Sequence, residues 1–218
     1  MCRIIAFKAD KNIDTNWILD ILKGISARGI SSPHSDGWGY AVRGEGRETY
    51  NSSGAIFDSD KKLPQSRVGI IHSRKASKGY TVNLEHVHPF YTTVRGRNYA
   101  FCHNGTIYDF ASDEGTTDTQ RYFELLVSNL EIYETKRALE ITSVFVAENY
   151  RYTSINALLT DYENVWVIRQ NAEKDDTEHA LFLYERDGVR IVSSEPAEKY
   201  GDLPGNSIEI KNGEALVL

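Results

Sequence analysis

A chain of 218 residues with 25 Lys and Arg against 31 Asp and Glu carries a net charge of −6, and no basic cluster interrupts it, which leaves nucleic-acid binding without an electrostatic footprint. Apolar residues are 40% of the chain, enough for the layered core of one large domain spanning 1–218, but no apolar run approaches the roughly 18 residues that would cross a membrane. Two cysteines exclude a disulfide framework, and the N-terminus lacks a basic-then-apolar leader, so the expected setting is the reducing cytoplasm.

In chain order, Arg3 to Lys8 reads as a short strand with Cys2 at its leading edge. Asp14-Thr15-Asn16 offers capping side chains, and Trp17, Ile18, Ile21, Leu22 and Ile25 follow at helical spacing up to Gly29. Ser31 to Gly39 is a loop in which Gly37 and Gly39 flank Trp38. A strand at Tyr40–Val42, a hairpin turn at Arg43–Arg47, strands at Glu48–Ile56 and Val68–His72, and a hairpin around Gly96 within Thr92–Cys102 complete the first half. Thr116-Thr117-Asp118 can cap a helix through Tyr122, Phe123, Leu125, Leu126 and Leu130, and a second helix covers Glu134 to Ala147. Strands return at Ser154–Leu159, Asn164–Arg169, Ala180–Tyr184, Val189–Val192, Ser207–Ile210 and Ala215–Leu218, with an exposed, charged link at Asn171–Glu178. Helices between two blocks of antiparallel strands predict an α+β protein, two sheets face to face with helices outside.

Cys2 is the first candidate for chemistry. Removal of Met1, expected before a small residue, would leave a thiol and an α-amine of pKa about 7.7–8.0 on one residue, a nucleophile with its own base. The bland alternative is a small apolar residue opening a buried strand. Four polar stretches fall at strand ends, where a rigid scaffold displays a site: His34-Ser35-Asp36-Gly37-Trp38-Gly39, His72-Ser73-Arg74-Lys75-Ala76-Ser77, His86-Val87-His88-Pro89-Phe90 and Phe101-Cys102-His103-Asn104-Gly105-Thr106-Ile107. Strand alternation turns Cys102 to the face opposite His103, into the core.

Taken together, Met1-Cys2, Asp36-Gly37-Trp38-Gly39, His72-x-Arg74, His88-Pro89-Phe90 and His103-Asn104-Gly105 resemble a class II glutamine amidotransferase of the stand-alone type, among the N-terminal-nucleophile hydrolases. The likeness runs from residue 2 to about residue 120, and Ser193-Ser194-Glu195-Pro196 resembles a weaker late motif. It implies a four-layer αββα sandwich and a γ-glutamyl thioester on Cys2. Asn104, by its side chain, and Gly105, by its backbone N–H, resemble an oxyanion hole, in which each donor contributes about 2.7–4 kcal/mol. Arg74 resembles the fork that grips the substrate α-carboxylate, and Asp118 the carboxylate that holds its α-ammonium. The resemblance also sets Trp38, His88 and His103 around the substrate. From the residues alone, His103 is a packed, hydrogen-bonded histidine, Trp38 shapes its loop, and Asp118 is a helix N-cap.

No cofactor and no metal are implied. The substrate would be glutamine or a γ-glutamyl small molecule, with ammonia passing to a partner synthase subunit where glutamine is used; neither nucleic acid nor membrane is expected as a partner. The sequence departs from the pattern at Lys75, where larger amidotransferase-synthases carry Trp, and at Gln120, where an acidic residue is frequent. Two other functions stay open: a metal-dependent hydrolase built on His34, Asp36, His72, His86, His88 and His103, and a non-catalytic module that binds glutamine.

Overall fold

Ile4 and Ala6 alternate with Ile5 and Phe7 along the first strand, and all four are fully buried, so this strand has protein on both faces. It is β1 (Arg3–Ile13) in a computed structural model that describes residues 1–76, 82–110, 115–174 and 176–218. The strand runs past the expected Lys8 because it rejoins its neighbour at Ile13↔Ser66 after an irregularity.

Helix α1 (Asn16–Arg28) follows, then β2 (Trp38–Arg43), β3 (Arg47–Ser52), β4 (Ser66–Ser73), β5 (Phe90–Val94) and β6 (Arg97–Asn104). Helices α2 (Asp118–Leu130) and α3 (Thr135–Asn149) precede β7 (Asn156–Thr160), β8 (Val165–Ile168), β9 (Phe182–Arg186), β10 (Val189–Ser193), β11 (Ile208–Glu209) and β12 (Ala215–Val217). One antiparallel sheet has the order β11-β9-β10-β1-β4-β2-β3 and the other β12-β8-β7-β6-β5. The αββα sandwich is therefore present, but the two blocks of strands are not the two sheets. β9, β10 and β11 join the first-half strands, because β10 takes the free edge of β1 in the register Ile5↔Ser193, while β5 pairs with β6, and β6 with β7, in the other sheet.

Three apolar layers hold this together. Ile4, Ala6, Ile70, Cys102, Leu158 and Val167 fill the space between the sheets. The outer face of the larger sheet packs Ile5, Phe7 and Ile71 on Ile18, Leu22 and Ile25 of α1. The outer face of the smaller sheet packs Phe101 and Leu159 on Tyr122, Leu126 and Leu139 of α2 and α3. Cys102 is fully buried between the sheets, as alternation with His103 requires. The Asn171–Glu178 link is less exposed than its charge suggests at its start, where Asn171 is buried and its N–H donates to Asn212 Oδ1 at 2.7 Å. Among the described residues no helix is long and apolar enough to cross a membrane.

The sheet registers bring the polar stretches to one end of the sandwich. Arg3 pairs with Ser73, so Cys2 and Arg74 are the next residues beyond that pair on neighbouring strands. Asn104 ends β6 opposite Asn156, and α2 begins at Asp118.

Candidate active site

A pocket opens at this end of the sandwich, and Cys2, Arg74, His88, His103, Gly105 and Asp118 all line it. Asn104 stands behind them. The N–H of Cys2 donates to Asn104 Oδ1 at 3.1 Å, while Asn104 Nδ2 is buried and has no partner. Gly105 follows with φ +148, and a Cβ there would stand 1.9 Å from the Ser154 carbonyl oxygen, so only glycine lets the chain turn out of β6 at this point.

Arg74 is held by two backbone bonds: its N–H donates to the Gly37 carbonyl at 2.7 Å and its carbonyl accepts from the Asp36 N–H at 3.0 Å. Its guanidinium is buried, donates to the Asp36 carbonyl at 3.4 Å, and has no carboxylate within ion-pair distance among the described residues. A buried cation without an anion beside it is costly, which makes the pocket wall at Arg74 a place for an anionic group. Asp36 itself accepts from the Ala76 N–H at 2.8 Å, so it shapes the loop. Ser77 lies outside the described residues.

Asp118 is not the N-cap of α2. Thr117 is: its hydroxyl accepts from the Gln120 N–H, and the Gln120 side chain accepts from the Thr117 N–H at 2.7 Å, a capping box. Asp118 occupies the first helical position and is buried, with Oδ2 accepting from the Ile107 N–H and Oδ1 from the Thr119 N–H, each at 2.8 Å. These bonds fix a carboxylate on the pocket wall at the positive end of α2. Gln120 serves the cap through its side-chain oxygen, a role that an acidic residue could fill equally.

The other expected residues divide. Trp38 does not reach the pocket; it is fully buried against Tyr40 and Tyr50 in the layer under α1, because its place in β2 turns it to the outer face of the larger sheet. His103 lines the pocket with both ring nitrogens engaged: Nε2 donates to the Ser154 carbonyl at 3.1 Å, so Nδ1 accepts from the Thr119 hydroxyl at 2.9 Å. It offers a wall rather than a hydrogen bond to a ligand. His88 Nδ1 is 2.9 Å from His72 Nε2, one donating and the other accepting, a buried neutral pair. Among the described residues no three His, Cys, Asp or Glu are grouped to hold a metal ion. Thr119 was not anticipated; its only signal is its place one residue after Asp118. Arg3 was not anticipated either, although a charge in the run Arg3-Ile4-Ile5-Ala6 is conspicuous.

Burial pushes the Cys2 thiol up from its ordinary value, against the opposing pull of the terminal amine, the Lys75 backbone contact, Arg74 and Arg3. Burial, with the Cys2 charge adding to it, pushes Cys102 far up and leaves that thiol inert. Burial likewise holds His72 and His88 well below the usual histidine range and His34 at about 4. The unfolded chain therefore takes up these protons first as pH falls below about 6.5. Stability should be full above that pH and fall as the pH drops toward 4, with His34 and the His72–His88 pair each contributing to the loss. Urea midpoints at pH 7.5, 6 and 5 test this; His34→Gln should flatten the fall between 6.5 and 5, and an unchanged slope would exclude His34.

A family model described as "Glutamine amidotransferases class-II" matches residues 1–180. The chain is 29% identical over 181 residues to "Putative glutamine amidotransferase YafJ" of Escherichia coli, covering 74% of this chain and 70% of that one. Two further curated relatives are matched over 52% and 51% of their own length. In fold it is similar to the Bacillus subtilis glutamine phosphoribosylpyrophosphate amidotransferase, with TM-score 0.72 and 15% identity over 99% of this chain and 47% of that one. A class-II glutamine aminotransferase domain protein from Silicibacter pomeroyi gives TM-score 0.63 and 17% identity over 99% and 94%. With the family model matched across residues 1–180 of the chain, the protein belongs to the class II glutamine amidotransferases.

Proposed function

We propose that the chain, once Met1 is removed, cleaves the side-chain amide of glutamine, or of a γ-glutamyl compound, through a thioester on Cys2. The observation that carries this reading is the double duty of Asn104, whose Oδ1 is bonded to the Cys2 nitrogen while its Nδ2 stays buried and unpartnered. A free amine at Cys2 would keep the bond to Oδ1 and gain a lone pair next to the thiol. A thiol raised by burial needs such a base at the moment of attack.

The amine takes the thiol proton as sulfur bonds to the amide carbon. Asn104 Nδ2 and the Gly105 N–H stabilise the oxyanion that forms. The C–N bond then breaks, the amine passes its proton to the departing nitrogen, and ammonia or an amine leaves. Water, deprotonated by the same amine, attacks the thioester; the C–S bond breaks, glutamate departs and the thiol is restored. Arg74 and Asp118 grip the α-carboxylate and α-ammonium, so a substrate lacking either charge strands its partner. We read residues 1–218 as one such domain, since β9 to β12 complete both sheets around the same inter-sheet core, and assign any ammonia to a separate acceptor enzyme.

Incubation with 6-diazo-5-oxo-norleucine followed by intact and peptide mass spectrometry tests the assignment. One adduct is expected, on Cys2, in a chain without Met1. Labelling at Cys102, or turnover by Cys2→Ala, would overturn it.

A further inference from the structure

Arg3 is a fully buried cation at the head of the apolar run Ile4–Phe7, one residue from Cys2. Its guanidinium is held by hydrogen bonds through Nη1 and Nη2, while Nε, also buried, has only an ion-pair contact and no hydrogen-bond partner among the described residues. Nη1 donates to the Cys2 carbonyl at 3.1 Å and to the Glu178 carbonyl at 3.4 Å, and Nη2 donates to the Ile30 carbonyl at 2.6 Å. Nε faces Glu195 Oε1 at 3.6 Å. Glu195 is buried too, and its Oε2 accepts from the Ile30 N–H at 3.1 Å, so the ion pair clamps the Ile30 residue from both sides. Gly29 makes room for it: a Cβ there would stand 1.8 Å from Glu195 Oε1, although its φ of −76 asks for no glycine. Ser194 completes the join, its Oγ accepting from the Ile4 N–H at 3.0 Å and its own N–H donating to the Ile4 carbonyl at 3.1 Å.

We infer that Arg3 and Glu195 are positioning residues, a buried brace that sets the Cys2 main chain, and with it the thiol and amine, against Asn104 and Arg74. The inference rests on the reading of Cys2 as the nucleophile. A terminal residue has one covalent tether, and chain ends are disordered unless tied down. With Met1 gone, the Cys2 carbonyl is the handle nearest that tether, and Arg3 Nη1 holds it. Only a planar fork can reach three carbonyls and a carboxylate together; a lysine ammonium on that stem cannot. The pairing of β10 with β1 brings Glu195, two residues past the end of β10, beside Arg3, where it supplies the counter-charge. The charged groups facing Cys2 are the terminal amine, Arg74 and Arg3, and all three favour the thiolate.

Three variants test this: Arg3→Lys, Glu195→Gln, and the double variant Arg3→Met with Glu195→Leu. Removing both members of a buried ion pair preserves stability better than removing one, so the double variant separates folding from placement. Thermal melting, kcat and KM for glutamine, and the pH profile of Cys2 alkylation by iodoacetamide are measured on each. In the double variant kcat should fall about ten- to a hundredfold, the usual cost of a misplaced reacting group, with KM little changed. Its alkylation profile should shift to higher pH, and Arg3→Lys should not rescue kcat. Native kcat and a native alkylation profile in the double variant would make the pair merely structural. Should it fail to fold, Glu195→Gln decides, because it keeps the shape and the Ile30 acceptor and loses the charge; a native kcat and profile there would overturn the brace. Alkylation is read whether or not glutamine is the substrate. A wild-type protein that turns over no γ-glutamyl amide would sink the functional reading while the profiles still judge the brace.

Discussion

Asn104→Ala should lower kcat for glutamine hydrolysis by about 100- to 1000-fold while leaving KM nearly unchanged. The size is that of one oxyanion donor removed from a dry, preorganised site. The split between kcat and KM follows because the donor meets full negative charge only in the transition state. Asn104 Nδ2 is suited to that task, being buried and without a partner among the described residues. Its other atom complicates the test, since Oδ1 accepts from the Cys2 nitrogen at 3.1 Å and Ala removes both functions. Asn104→Asp separates them. It keeps the acceptor, loses the donor and adds a negative charge where the oxyanion forms, so it should be at least as impaired as Ala. Recovery of most of the activity in Asn104→Asp would reassign Asn104 to holding Cys2 and remove it from the oxyanion hole.

The site was more legible than the sheets, and the reason is physical. Cys2, Arg74, Asn104 and Asp118 are polar or reactive residues at the ends of apolar segments, which marks each as a candidate, and it is the resemblance to the family that groups them before any pairing is known. Sheet membership carries no such local mark. Nothing in Val189 to Ser193 says that it will lie against β1 rather than against β8; that is decided by which edge remains free once β4 has paired with the other side of β1. Trp38 illustrates a second limit. The loop motif around it suggests proximity to ligand, but its register with Ser73 points the indole into the layer under α1. Arg3 illustrates a third. A buried charge reads as a solvated one until the partner is seen, and here the partner is Glu195, far along the chain.

The head-group grip gives the second large effect. Arg74→Gln should raise KM for glutamine by about 100-fold, in the range set by truncating one member of a buried charge pair at about 2–5 kcal/mol. Changes in kcat should be far smaller, because the α-carboxylate is held alike in ground and transition states. Arg74→Lys should recover only part of the loss, since an ammonium cannot present two parallel donors to a carboxylate. The backbone around position 74 is fixed independently of the side chain, by the bonds to Gly37 and Asp36, so the loss should not come from a displaced loop. A substrate-side cycle makes the argument specific. 4-Aminobutanamide is glutamine without its α-carboxylate; it should be a poor substrate for the native protein and no poorer for Arg74→Gln, because the missing contact cannot be lost twice. Asp118→Asn should behave in the mirror sense, hurting glutamine but not 4-carbamoylbutanoate, which lacks the ammonium. If Arg74→Gln weakened both amides equally, the guanidinium would be acting on something common to them, and the α-carboxylate would have to be held elsewhere.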